Sequence, residues 1–377
     1  MDVSKISVLI PLYNRKHYIA QCIDSVLNQT FKDWELIIRD DGSTDGSPEF
    51  VEENYADEIS SGKIKLRRNE KNIGEFPTEN ILIEEATGKY IMILHNDDAY
   101  LSHALEHMYT VAEEYNADVV HSSMRIGTAP DGIIETGIDL NIAHDRMLKR
   151  TYNGSSLDKI VLVPDDPAIR FNEWNEGGIF IDTQYNIFSR KFLMESGLRF
   201  EIFGERFSDN RIFALKWIMK APVIVKTLEP FYIHRNAYDS QSREKYSLED
   251  IAEFISAFVE LSYHLDEYFA SEEFFRDNKE AQYLTRVHLF SVLDRFWLHK
   301  RGIYKTGVTF DLNDAVEAVF RKYFGGGAAY VTFLFHWAHC MMAERPLGRI
   351  VSPPPSQLPD QINRLYRAVR YQDALTA

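Results

Sequence analysis

The chain has 377 residues, 45% of them hydrophobic, with 24 Phe and 20 Tyr, which is room for one large domain or two ordinary ones and excludes a disordered polypeptide. A formal net charge of -15 argues against non-specific nucleic-acid binding, which depends on a basic surface. There is no charged segment followed by an apolar signal core at the start and no apolar run of membrane-spanning length. Both cysteines, Cys22 and Cys340, sit in helix-like stretches, so free thiols and a reducing, cytoplasmic setting are expected.

In chain order, 6–10 (ISVLI) reads as a buried strand ending at Pro11, and Ile19, Cys22, Ile23, Val26 and Leu27 fall at helical spacing. Residues 34–39 (WELIIR) form a second strand running into Asp40-Asp41-Gly42-Ser43-Thr44-Asp45-Gly46, with Ser47-Pro48 supplying an N-cap and first helical position. A third strand at 64–68 is followed by a helix at 78–86 closed by Gly88. Next, 90–94 (YIMIL) is an apolar strand delivering Asn96, Asp97 and Asp98 into a turn before a helix that starts near His103. Residues 118–122 are another strand. Five alternations of strand and helix predict an α/β fold with a doubly wound, mainly parallel sheet.

Carboxylates at the end of a buried strand need a cation, hydrogen bonds or open water. Asp97 and Asp98 therefore suit a divalent ion holding phosphates, although capping of the next helix by Asp98 or Ser102 would also account for them. The second strand ends in an acidic loop too. In such a sheet both loops open on one edge, where ligands bind.

The motifs VLIPLYNR (8–15), SVLNQTFKDWELIIRDDGSTDGS (25–47), NIGEFPTEN (72–80) and ATGKYIMILHNDD (86–98) resemble those of a family 2 glycosyltransferase with the GT-A fold. The resemblance implies an inverting enzyme that takes a nucleotide-activated sugar, commonly a UDP-sugar, and uses Mn2+ or Mg2+. By position, Pro11 and Tyr13 match the loop flanking the base, Asp41 the acid that bonds uracil, and Asp40 its support. Asp98 matches the direct metal ligand, with Asp97 facing the ribose or sugar. The family often carries a basic residue before Asn80; Thr78-Glu79 stand here instead, so Arg15 or Arg235 would balance the diphosphate.

The less periodic middle contains NEWNEGG (172–178), in which Trp174 beside acids suits sugar stacking or packs as a core residue. Asp209, before an apolar helix at 212–219, resembles the family's catalytic base, with Ser208 in place of a preceding acid; helix capping is its other role. Strands at 222–227 and 230–234 lead to HRNAYDSQSR, where His234 is the candidate second metal ligand. From about residue 244 the pattern turns helical, giving a GT-A domain at 1–243 and a helical domain at 244–377. Ser247 with Asp250 resembles a capping box. The apolar stretch 328–343, carrying His336 and His339, reads as a bundle helix or as a membrane-surface or protein-partner helix.

The expected activity is sugar transfer to a hydroxyl of a glycan, lipid-linked or protein acceptor in bacterial surface polysaccharide or glycoconjugate synthesis, peripheral to the inner face of the membrane. The rival readings are a nucleotidyltransferase, which would carry a Gly-rich loop where PLYNR stands, and a non-catalytic nucleotide-sugar-binding module.

Overall fold

The computed structural model describes residues 4–123, 125–127, 160–175, 177–203, 210–235, 260–261, 264–282, 284–286 and 289. The chain divides into two compact units, Met1–Lys245 and Tyr246–Ala377. In the first, the strands are β1 (Ile6–Leu12), β2 (Trp34–Asp40), β3 (Ile64–Arg68), β4 (Tyr90–Ile93), β5 (Ala99–Tyr100), β6 (Val119–Ser122), β7 (Arg125–Gly127), β8 (Ile160–Val163), β9 (Asn186–Ser189), β10 (Ile224–Thr227) and β11 (Tyr232–His234). The helices nearest the acidic loops are α1 (Ile19–Leu27), α2 (Ser47–Asn54), α3 (Ala56–Ser60), α4 (Glu75–Glu85) and α5 (Ala104–Tyr115).

Eight strands form one sheet in the order β3-β2-β1-β4-β9-β6-β10-β8. The run β3-β2-β1-β4 is parallel, β9 is antiparallel to both its neighbours, and β8 is antiparallel on the edge. All seven residues of β1 are buried, as a strand covered on both faces requires. Ile19, Cys22, Ile23 and Val26 of α1 join Val8, Ile10 and Leu12 in the same core cluster.

Three local expectations are corrected. The helix placed at 78–86 begins at Glu75, because a proline in a first turn lacks no needed donor and Gly74 (φ 99°) supplies the entry. Ser47 is inside α2, whose N-cap is Gly46 (φ 81°); the Asp45 carboxylate accepts from the Ser47 amide and hydroxyl instead. Helix α5 is entered at His103 with no side-chain cap, so neither Asp98 nor Ser102 is used for capping. Among the described residues no helix is long and apolar enough to cross a membrane. Cys22 is a buried free thiol.

A second sheet, β5-β11-β7, lies after the fourth strand's turn. In its antiparallel pair Tyr232 faces Tyr100 and Ile233 faces Ala99. One step further along this register brings His234 opposite Asp98, so a short ladder delivers the end of β11 to the acidic turn.

In the second unit, Glu273–Arg276 is helical, and Phe269 and Phe275 pack with ring centroids 5.0 Å apart. The expectations for residues 244–259 and 328–343, including Ser247, Asp250, His336 and His339, and for Cys340 lie outside the described residues.

Candidate active site

Both acidic loops leave the carboxyl edge of the parallel run. Leu12 pairs with Asp40 at the ends of β1 and β2, and the Asp41 amide donates to the Leu12 carbonyl at 2.7 Å. Asn14 adopts a left-handed conformation (φ 49°), which turns the chain after Tyr13. Its amide donates to Ser43 Oγ (2.9 Å) and its side chain accepts from the Thr44 amide (2.8 Å). The Arg15 amide donates to Ser47 Oγ, and the Lys16 amide to Asp45 (both 3.0 Å). Burial works against the ionised Asp45, but these donors hold its carboxyl below the usual range.

Asp40 is wholly buried; it accepts from the Ser43 amide (3.2 Å) and lies 3.2 Å from Arg68 Nε. Asp41 accepts from Asn69 Nδ2 (2.8 Å) and from the amides of Ile73 (2.9 Å) and Gly74 (2.8 Å). Asp41 therefore ties the second-strand loop to the entry of α4. Gly42 is required between them: its φ is +73°, and a Cβ there would stand 2.8 Å from the Asn72 nitrogen.

On the other side of β1, Asn96 Nδ2 donates to the Pro11 carbonyl at 2.6 Å. Pro11 is buried and Tyr13 half-buried above it. Asp97 Oδ2 is 3.6 Å from Arg15 Nε. Burial and then the charge of Asp98 raise the Asp97 carboxyl above its ordinary range, against the pull of His95 and Arg15. Asp98 is 1% exposed; it accepts from Tyr232 Oη (2.5 Å) and the Arg235 amide (2.7 Å), and His234 Nδ1 stands 3.4 Å from its Oδ2. Arg235 Nε donates to the Asp97 carbonyl (2.7 Å), another of its nitrogens bonds Gln21, and its guanidinium lies over the Tyr18 ring. Pro11, Tyr13, Arg15, Asp40, Asp41, Asp97, Asp98 and His234 are thereby gathered at one edge. Asp209 lies outside the described residues, directly before the helix Asn210–Lys220.

The residues fit a divalent ion between Asp98 and His234. Adjacent ligand atoms on one ion stand roughly 3.0–3.5 Å apart for bonds near 2.1 Å, and the 3.4 Å separation matches that spacing. A carboxylate offers about four acceptor directions, so the Tyr232 and Arg235 donors orient Asp98 without exhausting it.

Trp174 does not serve the crevice. It is fully buried and its Nε1 donates to the Arg211 carbonyl at 2.9 Å, so no ring face is free to stack on a sugar. Two features escaped sequence reasoning. Tyr232, the shortest contact to Asp98, was findable because it shares a strand face with His234 two residues on. The second is a cluster of Glu75, Glu79 and His95, whose signal was two glutamates at i,i+4 beside a histidine in the acidic turn. Burial pushes the Glu79 carboxyl up to about 7. Burial opposes a charge on His95, but Glu79, Glu75 and Asp98 outweigh it and push its pKa up to about 10.

Comparison with known proteins agrees with this geometry. Residues 7–177 match the family described as Glycosyl transferase family 2. Glycosyltransferase GlyG of Streptococcus pneumoniae is 35% identical over 115 residues, 30% of this chain and 37% of that protein. The UDP-Glc:alpha-D-GlcNAc-diphosphoundecaprenol beta-1,3-glucosyltransferase WfgD of Escherichia coli is 29% identical over 167 residues, 44% of this chain and 64% of that protein. The chain thus spans less than two thirds of the length of either relative. The crystal structure of S. aureus TarS 1-349 in complex with UDP-GlcNAc superposes with a TM-score of 0.58 at 17% identity, covering 88% of this chain and 83% of that one, a likeness of fold. Residues 7–177 thus carry the likeness to glycosyl transferase family 2, and the mainly parallel sheet with its flanking helices has the GT-A fold.

Proposed function

We propose that the chain is a metal-dependent inverting glycosyltransferase that moves a sugar from a UDP-sugar to the hydroxyl of a glycan, lipid-linked or protein acceptor. The observation that carries this reading is the convergence of Asp41, Asp98 and His234 on one edge of the parallel run. Asp41, beside Pro11 and Tyr13, would accept from the base. Asp97, 3.6 Å from Arg15, would face the ribose or sugar. Asp98 and His234 would hold Mn2+ or Mg2+, and such an ion, when bound, neutralises the diphosphate leaving group.

Asp209 would take the acceptor hydroxyl's proton as that oxygen attacks the anomeric carbon from the face opposite the diphosphate. The acceptor named for WfgD, GlcNAc on diphosphoundecaprenol, supports a lipid-linked acceptor, which would suit surface polysaccharide synthesis at the inner face of the membrane. The UDP-GlcNAc complex of TarS supports uracil as the donor base.

The test is thermal stabilisation by UDP, GDP, CDP and dTDP, each with and without Mn2+. A shift with UDP that needs Mn2+ and disappears in Asp98→Ala is expected. Equal shifts with all four, or none, would refute the donor assignment. UDP binding without UDP release from any UDP-sugar and acceptor would leave a non-catalytic module.

A further inference from the structure

The residues assigned above leave one group at the carboxyl edge unused. Glu75 and Glu79 stand one turn apart on α4, directly after Gly74, whose amide bonds Asp41. His95 ends the buried stretch that delivers Asp97 and Asp98. The three side chains meet between the two acidic loops: one ligand atom from each lies within 4.8 Å of the others.

Two observations distinguish this cluster from a solvated acidic patch. Glu79 is 1% exposed, yet neither of its carboxylate oxygens has a hydrogen-bond partner among the described residues. A buried carboxylate without donors is strongly disfavoured, and Glu35, Asp40, Asp41, Asp98 and Glu173, the other buried acids among the described residues, all have donors. The second is spacing. His95 Nε2 stands 3.6 Å from Glu79 Oε1 and 3.4 Å from Glu75 Oε1. The first is too long for a hydrogen bond, and both match the roughly 3.0–3.5 Å between neighbouring ligands of one first-row ion to within 0.1 Å.

We propose that Glu75, Glu79 and His95 form a second divalent-metal site, with one imidazole nitrogen and two carboxylates as ligands, separate from Asp98 and His234. That donor set suits Zn2+, Mn2+ or Co2+ better than the all-oxygen shells of Ca2+. A dication there leaves no net charge on the two carboxylates. The inference is independent of the sugar-transfer reading, because it rests on the ligands alone.

The full chain, stripped with chelator and desalted, is titrated with Co2+ and followed by its visible absorption and by metal analysis. An equivalent retained in Asp98→Ala and lost in Glu79→Gln is expected. Glu75→Gln, a change at an exposed position that spares folding, should weaken the same equivalent at least tenfold. If the wild type binds no Co2+, if Asp98→Ala abolishes all binding, or if both glutamine variants bind as the wild type does, the proposal is overturned. In those cases His95 is a protonated partner of the two acids. Failure of the Asp98 site alone would appear as a wild-type stoichiometry of one that Glu79→Gln removes.

Discussion

Two buried glutamates at opposite ends of the parallel run, Glu35 and Glu79, are treated in opposite ways. At the amino edge, Glu35 at the start of β2 accepts from Ser7 Oγ (2.5 Å), the Thr87 amide (2.8 Å), Thr87 Oγ1 (2.7 Å) and Lys65 Nζ (2.5 Å). Burial alone would raise its carboxyl, but those four donors outweigh it and lower the pKa. At the carboxyl edge Glu79, buried still more deeply, has no donor among the described residues and is pushed up to about 7. A saturated acid holds strands together, whereas an unsaturated one awaits a ligand.

Breaking the open edge should cost activity and leave the fold. Asp98→Ala should lower UDP-sugar turnover by about 1,000-fold, since a bound ion contributes several kcal/mol of charge stabilisation; UDP release from the donor reads it. Turnover above a tenth of wild type would remove Asp98 from the metal site. Asp209→Asn should follow, with a loss of about 100-fold or more from the missing base and an unchanged donor affinity. A weakened UDP shift in that variant would make Asp209 a donor ligand instead.

Breaking the closed edge should do the reverse. Glu35→Gln should lower stability by about 2–3 kcal/mol, measured by denaturant unfolding, because Lys65 loses its counter-charge and one donor loses its acceptor. The UDP-induced shift should survive.

The smallest effect sharpens the contrast through pH. The lowered carboxyl of Glu35 contributes stability present above about 4.5 and lost as pH falls through its folded value. The raised carboxyl of Glu79 has the opposite sign: its contribution is complete below 4.5 and disappears as pH rises to about 7. Metal-stripped protein should therefore lose stability between pH 4.5 and 7, with Glu79→Gln flattening that slope and added Co2+ doing the same. A slope unchanged by Glu79→Gln would mean that Glu79 does not set it.

Much of this was legible along the chain. Apolar runs such as ISVLI and YIMI gave strands where the pattern predicts them. The nearness of the Asp41 and Asp98 loops was also legible, because parallel strands must put their carboxyl ends together. Trp174 carried two readings because an aromatic beside acids looks alike in a crevice and in a core; its full burial and its hydrogen bond to the Arg211 carbonyl select the core.

Local spacing and turn chemistry act within a few residues, so the sequence determined the alternation of elements, the acidic loops and the family motifs. Which side chains meet across long separations is decided by register and packing. The pairing of β11 with β5 carries Tyr232 to Asp98 across 134 residues, and the docking of α4 carries Glu79 to His95. The same docking left that glutamate without a donor. No periodicity encodes those distances; only the packed sheet sets them.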